Sequence, residues 1–205
     1  MSERCTEALF LTDVASHRMT VVHDHGVHRH LHFAKPGTGC MHFDLITWPG
    51  YLAYSGDMGC FVFSRLHDML EFFRSKPEGK HGLHINQSYW SEKLQAHDRH
   101  GGHLQYNAKS FREWVVYQCR EIRHNMTRAE FRGFSQEVRD EVLSVEDDGD
   151  HAAHRALFDF SHNGRCFRDS WEADFMEYTF RFTWCCYALS WGIAQYDASK
   201  RSEAA

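Results

Sequence analysis

The chain has 205 residues, 42% hydrophobic and 25% charged, enough for one sizeable core. Its 23 Lys and Arg stand against 28 Asp and Glu, a formal charge of −5. That excludes the basic balance of a general DNA or RNA binder, although 17 histidines make the charge sensitive to mild acid. In chain order, residues 19–64 alternate β-rich runs with turn signals: TVVH, DHG, VHRHLHFA, PGTG, CMHFDLIT, WPG, YLAYS, GDMG and CFVFS. This spacing predicts four or five antiparallel strands in a meander, with His23 and His25 bracketing its first turn.

Strand alternation sorts the side chains. Val27, Leu31 and Phe33 share one side of the second run and His28, His30 and His32 the other. If the PGTG loop is effectively odd, as with Gly37-Thr38-Gly39, then Leu31 faces Leu45, Phe33 faces Phe43 and His32 faces Asp44. An even loop would set Leu31 against Asp44, which burial of one face disfavours. The odd register leaves an apolar face for helices to cover and a polar face carrying His30, His32, His42 and Asp44, partly lined by Tyr54.

That polar face reads first as solvated imidazole, because H-x-H alone is a weak signal. The alternatives are a Zn²⁺ or Mn²⁺ site on His30, His32, His42 and Asp44, or acid/base work by His30, His42 and Asp44 in phosphodiester cleavage. No cofactor is favoured. Asp57 in SGDMG reads as a hairpin residue whose glycine turn can also present amides to a phosphate. Arg29, Arg65 and Arg74, with Trp48, Tyr51 and Tyr54, offer guanidinium and aromatic contacts to a nucleotide-like ligand, against a plainer role in salt bridges and packing.

The rest reads as helical. RLHDMLEFFR, residues 65–74, spaces Leu66, Met69, Leu70 and Phe73 as a helix that Lys76-Pro77-Glu78-Gly79 ends. Further helices are expected over 91–97, over 110–124 with Ser110 as cap, and over 127–145 from the capping box Thr127 to Glu130. SVEDDGD, residues 144–150, reads as a loop within one domain. His151 and His154 beside its carboxylates lack the H-E-x-x-H spacing, so a cap on a helix N-terminus explains that run better than a metal does.

From 171 to 196, Trp171, Phe175, Tyr178, Phe182, Cys185, Leu189, Gly192 and Tyr196 follow steps of four and three, the seam of one long helix. Phe180, Trp184, Tyr187 and Trp191 form a second apolar stripe, to be buried within the chain or in a homodimer. The seven cysteines lack paired spacing and read as reduced thiols. The N-terminus has no leader pattern, and Glu177 and Arg181 interrupt the most apolar window. A cytoplasmic protein with no membrane partner is expected.

Together these elements predict an α+β fold in a single domain over 1–205. An N-terminal antiparallel β-meander of four or five strands, over about 7–64, packs against a helical part over about 65–198 with one long aromatic-rich helix.

The segments RHL, FDLITWPG, SGDMG, EFFR and WCCYALSWGIAQYD resemble a group of small uncharacterised accessory proteins of tailed bacteriophages and prophages. The group's pattern reads RHL, FD.ITWPG, SGDMG, F.RL.DM.EFFR and WCC.A..WGI.QYD. The resemblance runs from about Thr20 to Asp197 and is weakest over 126–168. His30 belongs to the pattern; His23, His25, His28 and His32 do not. The resemblance implies an accessory protein in the cytoplasm of an infected bacterium, acting on host physiology or defence. With no Ser-His-Asp order, Walker loop, dinucleotide fingerprint or CxxC pair in the sequence, the expected function is non-enzymatic: binding or sequestering a host protein or a small nucleotide-type signal. A histidine-based phosphodiesterase is the alternative, and a structural or assembly role the third reading.

Overall fold

Alternation at a period of two builds the main sheet of the molecule. In the computed structural model, which describes residues 4–74, 82–99 and 101–203, six strands pair in sequence order as one antiparallel sheet. They are β1 (Arg18–His25), β2 (His28–Ala34), β3 (Phe43–Trp48), β4 (Tyr51–Gly56), β5 (Gly59–Ser64) and β6 (Leu94–His97). The fold is α+β, as expected. The β2–β3 register is the odd one: Leu31 pairs with Leu45, His32 with Asp44 and Phe33 with Phe43. The connection is wider than a tight loop, since β2 ends at Ala34 and β3 begins at Phe43, but it is centred on Thr38.

The chain forms two compact units, 1–104 with 178–205, and 105–177. The passages between them fall inside the stretch read from sequence as one helical part. In the first unit, Leu31, Phe33, Phe43, Leu45, Leu52, Tyr54, Phe61 and Phe63 form the apolar sheet face, all buried. Three helices cover it: α1 (Glu7–Asp13), α2 (Met69–Phe73) and, after the short α3 (Gln87–Ser91), the last helix. That helix runs from Phe180 to Glu203, so Trp171, Phe175 and Tyr178 are not in it. Its Gly192 meets the sheet where a Cβ would lie 3.0 Å from Leu45 and 3.1 Å from Phe33, so helix and sheet approach closely. The second stripe lies under α1: the ring of Phe10 sits 4.9 Å from Trp184, 5.8 Å from Tyr187 and 6.2 Å from Trp191, and Trp184 Nε1 donates to Asp13.

Several expected boundaries move for local reasons. Asp68 caps α2 by accepting from Leu70 N, so that helix is five residues long and Leu66, outside it, is 42% exposed. The expected stop at Lys76-Pro77-Glu78-Gly79 lies outside the described residues. Asn86 caps α3, and residues 94–97, expected in a helix, pair instead with the free edge of β5. His23 and His25 belong to β1, whose turn is made by Gly26 and the half-buried Val27 rather than by the DHG run.

The second unit is helical, with α4 (Ala108–Arg123), α5 (Arg128–Glu137) and α6 (Asp150–Asp159) around Phe111, Val115, Phe134, Val138, Leu157, Phe160 and Phe175. Asn107, not Ser110, caps α4 by accepting from Ser110 N. The Thr127 to Glu130 capping box forms as expected. The helix it starts loosens into a π turn at Val138–Val142 and a tighter turn at Leu143–Val145. Two short strands, β7 (Leu104–Tyr106) and β8 (Met176–Tyr178), pair where the chain passes from one unit to the other.

Candidate functional site

On the polar sheet face the pleat brings His30 and His32 up beside Asp44. His30 Nε2 and His32 Nδ1 lie 2.7 and 2.9 Å from the same oxygen, Asp44 Oδ1, all three side chains partly exposed. His42 does not complete the group. It precedes β3, after a Met41 held at φ +57°, and its Nδ1 lies 2.7 Å from Gly39 O and 3.1 Å from Asp57. Its ring centroid is 6.3 Å from that of His32. Among the described residues, no group of three or more His, Cys, Asp or Glu is arranged to hold a metal ion. Both imidazoles converge on one carboxylate oxygen, as hydrogen-bonding partners do.

Asp57 fastens the β4–β5 turn to the β2–β3 connection: it accepts from Met41 N at 2.6 Å, and its own N donates to His42 O. Gly56 allows that closeness, since a Cβ there would stand 2.2 Å from His42 O. Tyr54, expected on the histidine face, is wholly buried on the opposite one, because it pairs with Leu45 and Phe61. Burial pushes its phenol well up, and its hydroxyl has no hydrogen-bond partner among the described residues. Trp48 and Tyr51 flank the β3–β4 turn as an exposed stacked pair, ring centroids 5.3 Å apart and planes within 11°. Arg65 is exposed beside α2.

Arg29 belongs to a different constellation. Its guanidinium takes Asp68 in a two-pronged pair at 3.0 and 2.9 Å, with Asp24 at 3.8 Å and the Tyr196 ring centroid at 5.8 Å. Tyr196 donates to Asp24, Lys200 pairs with Asp24 at 2.9 Å, and Arg74 grips Asp197 at 3.0 and 2.8 Å. Burial pushes the Asp24 carboxyl up, but hydrogen bonds from Lys200 and Tyr196 and the charges of Lys200 and Arg29 outweigh it and hold the group below its ordinary value. Arg29, Asp68, Arg74, Tyr196 and Asp197 all lie in the RHL, DM, EFFR and QYD segments. These segments meet as an ion network that ties β2, α2 and the last helix together. Periodicity does not reveal these pairings, since 39 residues separate Arg29 from Asp68 and 123 separate Arg74 from Asp197.

The second unit carries a cavity of about 430 Å³ lined by His151, His154, Arg155, Phe158, Ser170 and Trp171. Phe158 is 80% exposed and Trp171 70%. Trp171, expected in a helical seam, stands instead in a short turn, and for Phe158 the sequence carries no signal beyond an aromatic ring beside an Arg and two His.

No protein-family model, no curated protein and no solved structure matches the chain. Among the described residues, no helix is long and apolar enough to cross a membrane.

Proposed function

We propose that this is a phage or prophage accessory protein that works by binding in the host cytoplasm, holding a host protein or a small nucleotide-type signal rather than turning a substrate over. The observation that carries the reading is the stacked Trp48–Tyr51 pair at the tip of the β3–β4 hairpin. Exposed Trp and Tyr side chains supply large contact area at low entropic cost and dominate the energetics of recognition surfaces. The pair flanks Pro49-Gly50 of the ITWPG segment that carries the resemblance, and Gly50 N donates to His67 O at 3.0 Å, which ties the turn to the segment before α2. Arg29 is paired with Asp68, whereas the aromatic tip is exposed.

The test immobilises the full chain and its Trp48→Ala variant, exposes both to bacterial lysate, and identifies retained proteins and small molecules by mass spectrometry. A component held by the parent chain and lost from Trp48→Ala supports the reading. Equal retention by both removes the hairpin tip from it.

A second reading, a phosphodiesterase, is favoured by His30 and His32 bracketing Asp44, since a carboxylate can orient one imidazole as base while another acts as acid. Turnover of an activated phosphodiester, with or without Zn²⁺ or Mn²⁺, that His30→Ala and His32→Ala abolish would establish it over binding. Absence of turnover in the parent chain would remove it.

A further inference from the structure

We propose that the cavity of the second unit is a binding site for nucleoside monophosphates, taking the base against Trp171 and Phe158 and the phosphate on Arg155 with His151 and His154. The hairpin-tip reading concerns the other unit, so the two stand or fall separately.

The cavity falls within the size range of small-ligand sites. Its walls combine two features that seldom coincide on a surface: large aromatic rings left to solvent, and nitrogen-bearing side chains with no carboxylate among the six lining residues. An aromatic side chain normally gains by burial, so Phe158 at 80% exposure and Trp171 at 70%, lining one cavity, offer apolar area that a flat ligand would cover. Every nucleobase has a π face, and stacking on such rings tolerates any base.

Among the lining residues Arg155 is the cation for an anion, with Asp150 and Asp159 as neighbouring carboxylates. Arg155, His151 and His154 lie on α6, with spacings of three and four along one face. Arg155 Nε holds Asp159 at 3.4 Å, and His154 Nε2 holds Asp150 at 3.5 Å. Both are long contacts between exposed or half-exposed groups, and such pairs contribute little. The guanidinium is therefore available to turn to a phosphate, which it can grip through two parallel N–H donors.

Trp171 stands on a short turn, Ser170–Glu172, that follows Asp169 at φ +54°, and Ser170, only 5% exposed, roots that turn in the unit while lining the cavity. The His154 ring lies against Phe175 of the unit's core, centroids 5.0 Å apart. An open cavity that brings aromatic rings and a cation together within one unit suits a ligand with an aromatic and an anionic end.

Isothermal titration of the full chain with AMP, CMP, adenosine and inorganic phosphate tests the assignment. AMP and CMP should bind saturably, and adenosine and phosphate at least about tenfold more weakly. Trp171→Ala should weaken AMP by about tenfold. Arg155→Gln should bring AMP down to the level of adenosine, and Lys109→Ala, at an exposed position of α4, should leave AMP binding unchanged. Both cavity positions are exposed, and circular dichroism confirms that each variant is folded. Absence of saturable binding by either monophosphate overturns the proposal. So does equal binding of AMP and adenosine by the parent chain, or AMP binding that survives both cavity substitutions. Loss of AMP binding in Trp48→Ala would move the nucleotide site to the hairpin tip and likewise overturn the assignment to the cavity.

Discussion

Arg29 shows how much one side chain does in this molecule. Only 11% of it is exposed, and it meets Asp68, Asp24 and the Tyr196 ring at once, joining a strand to a helix cap and to the last helix. Removing one partner of such a pair leaves an uncompensated charge among half-buried neighbours. Asp68→Asn should therefore lower the stability of the first unit by about 2–3 kcal/mol, read as a fall in the urea midpoint without change in slope. The Arg29→Met, Asp68→Asn double variant should lose less than the sum of the two single losses. Asp24 sets a pH dependence. Its folded carboxyl lies below the ordinary value of 3.8, so the stability it contributes is complete above that pH and is lost as pH falls through the depressed value. Asp24→Asn should be less stable at neutral pH and lose stability less steeply below about pH 4, measured as melting temperature against pH. His103 acts in the same direction at higher pH. Burial first, and the charge of His97 second, hold its imidazole below the ordinary 6.5, so its contribution is whole above that value and fades in acid.

At the scale of elements, two predictions follow from close contacts. Gly56→Ala drives a Cβ into the His42 carbonyl and the Phe43 backbone, which have little room to retreat, and should cost roughly 1–3 kcal/mol in chemical denaturation. Phe10→Ala strips α1 of the ring that covers Trp184, Tyr187 and Trp191. It should cost about 3–5 kcal/mol and shift tryptophan emission to the red. The sheet was legible because a period of two and one buried face fix register: only the odd loop keeps Leu31, Phe33, Phe43 and Leu45 together. The helices were less so. Asp68 and Asn86, as caps, outweigh the apolar spacing around them, and α1, which takes residues 7–13 out of the expected meander, carries Phe10 as its only buried residue, too little for a helical period to show. Trp171 and Phe175 continued a four-and-three pattern by coincidence, in a segment that belongs to the other unit. Of the candidate site, the His32–Asp44 pairing was visible from strand register. The spending of Arg29 on Asp68 and the turn of His42 toward Asp57 were not, since they depend on where distant loops come to rest.

At the scale of the whole chain, the first unit is discontinuous, with all of the second unit inserted between its sheet and its last helix. Phe182, Leu189 and Ile193 of that helix share one core with Phe33, Phe43 and Phe63 of the sheet, and Gly192 sets the approach of helix to sheet. This order bears on synthesis as much as on stability. A ribosome delivers the meander before the second unit, so the hydrophobic face of the sheet waits for its last helix until the whole second unit has been made. Closing so long a loop slows folding and prolongs the interval in which strands can pair with other chains. A circular permutant that places the last helix ahead of β1 should therefore refold faster than the parent chain in stopped-flow tryptophan fluorescence, and should yield less aggregate when expressed at high level.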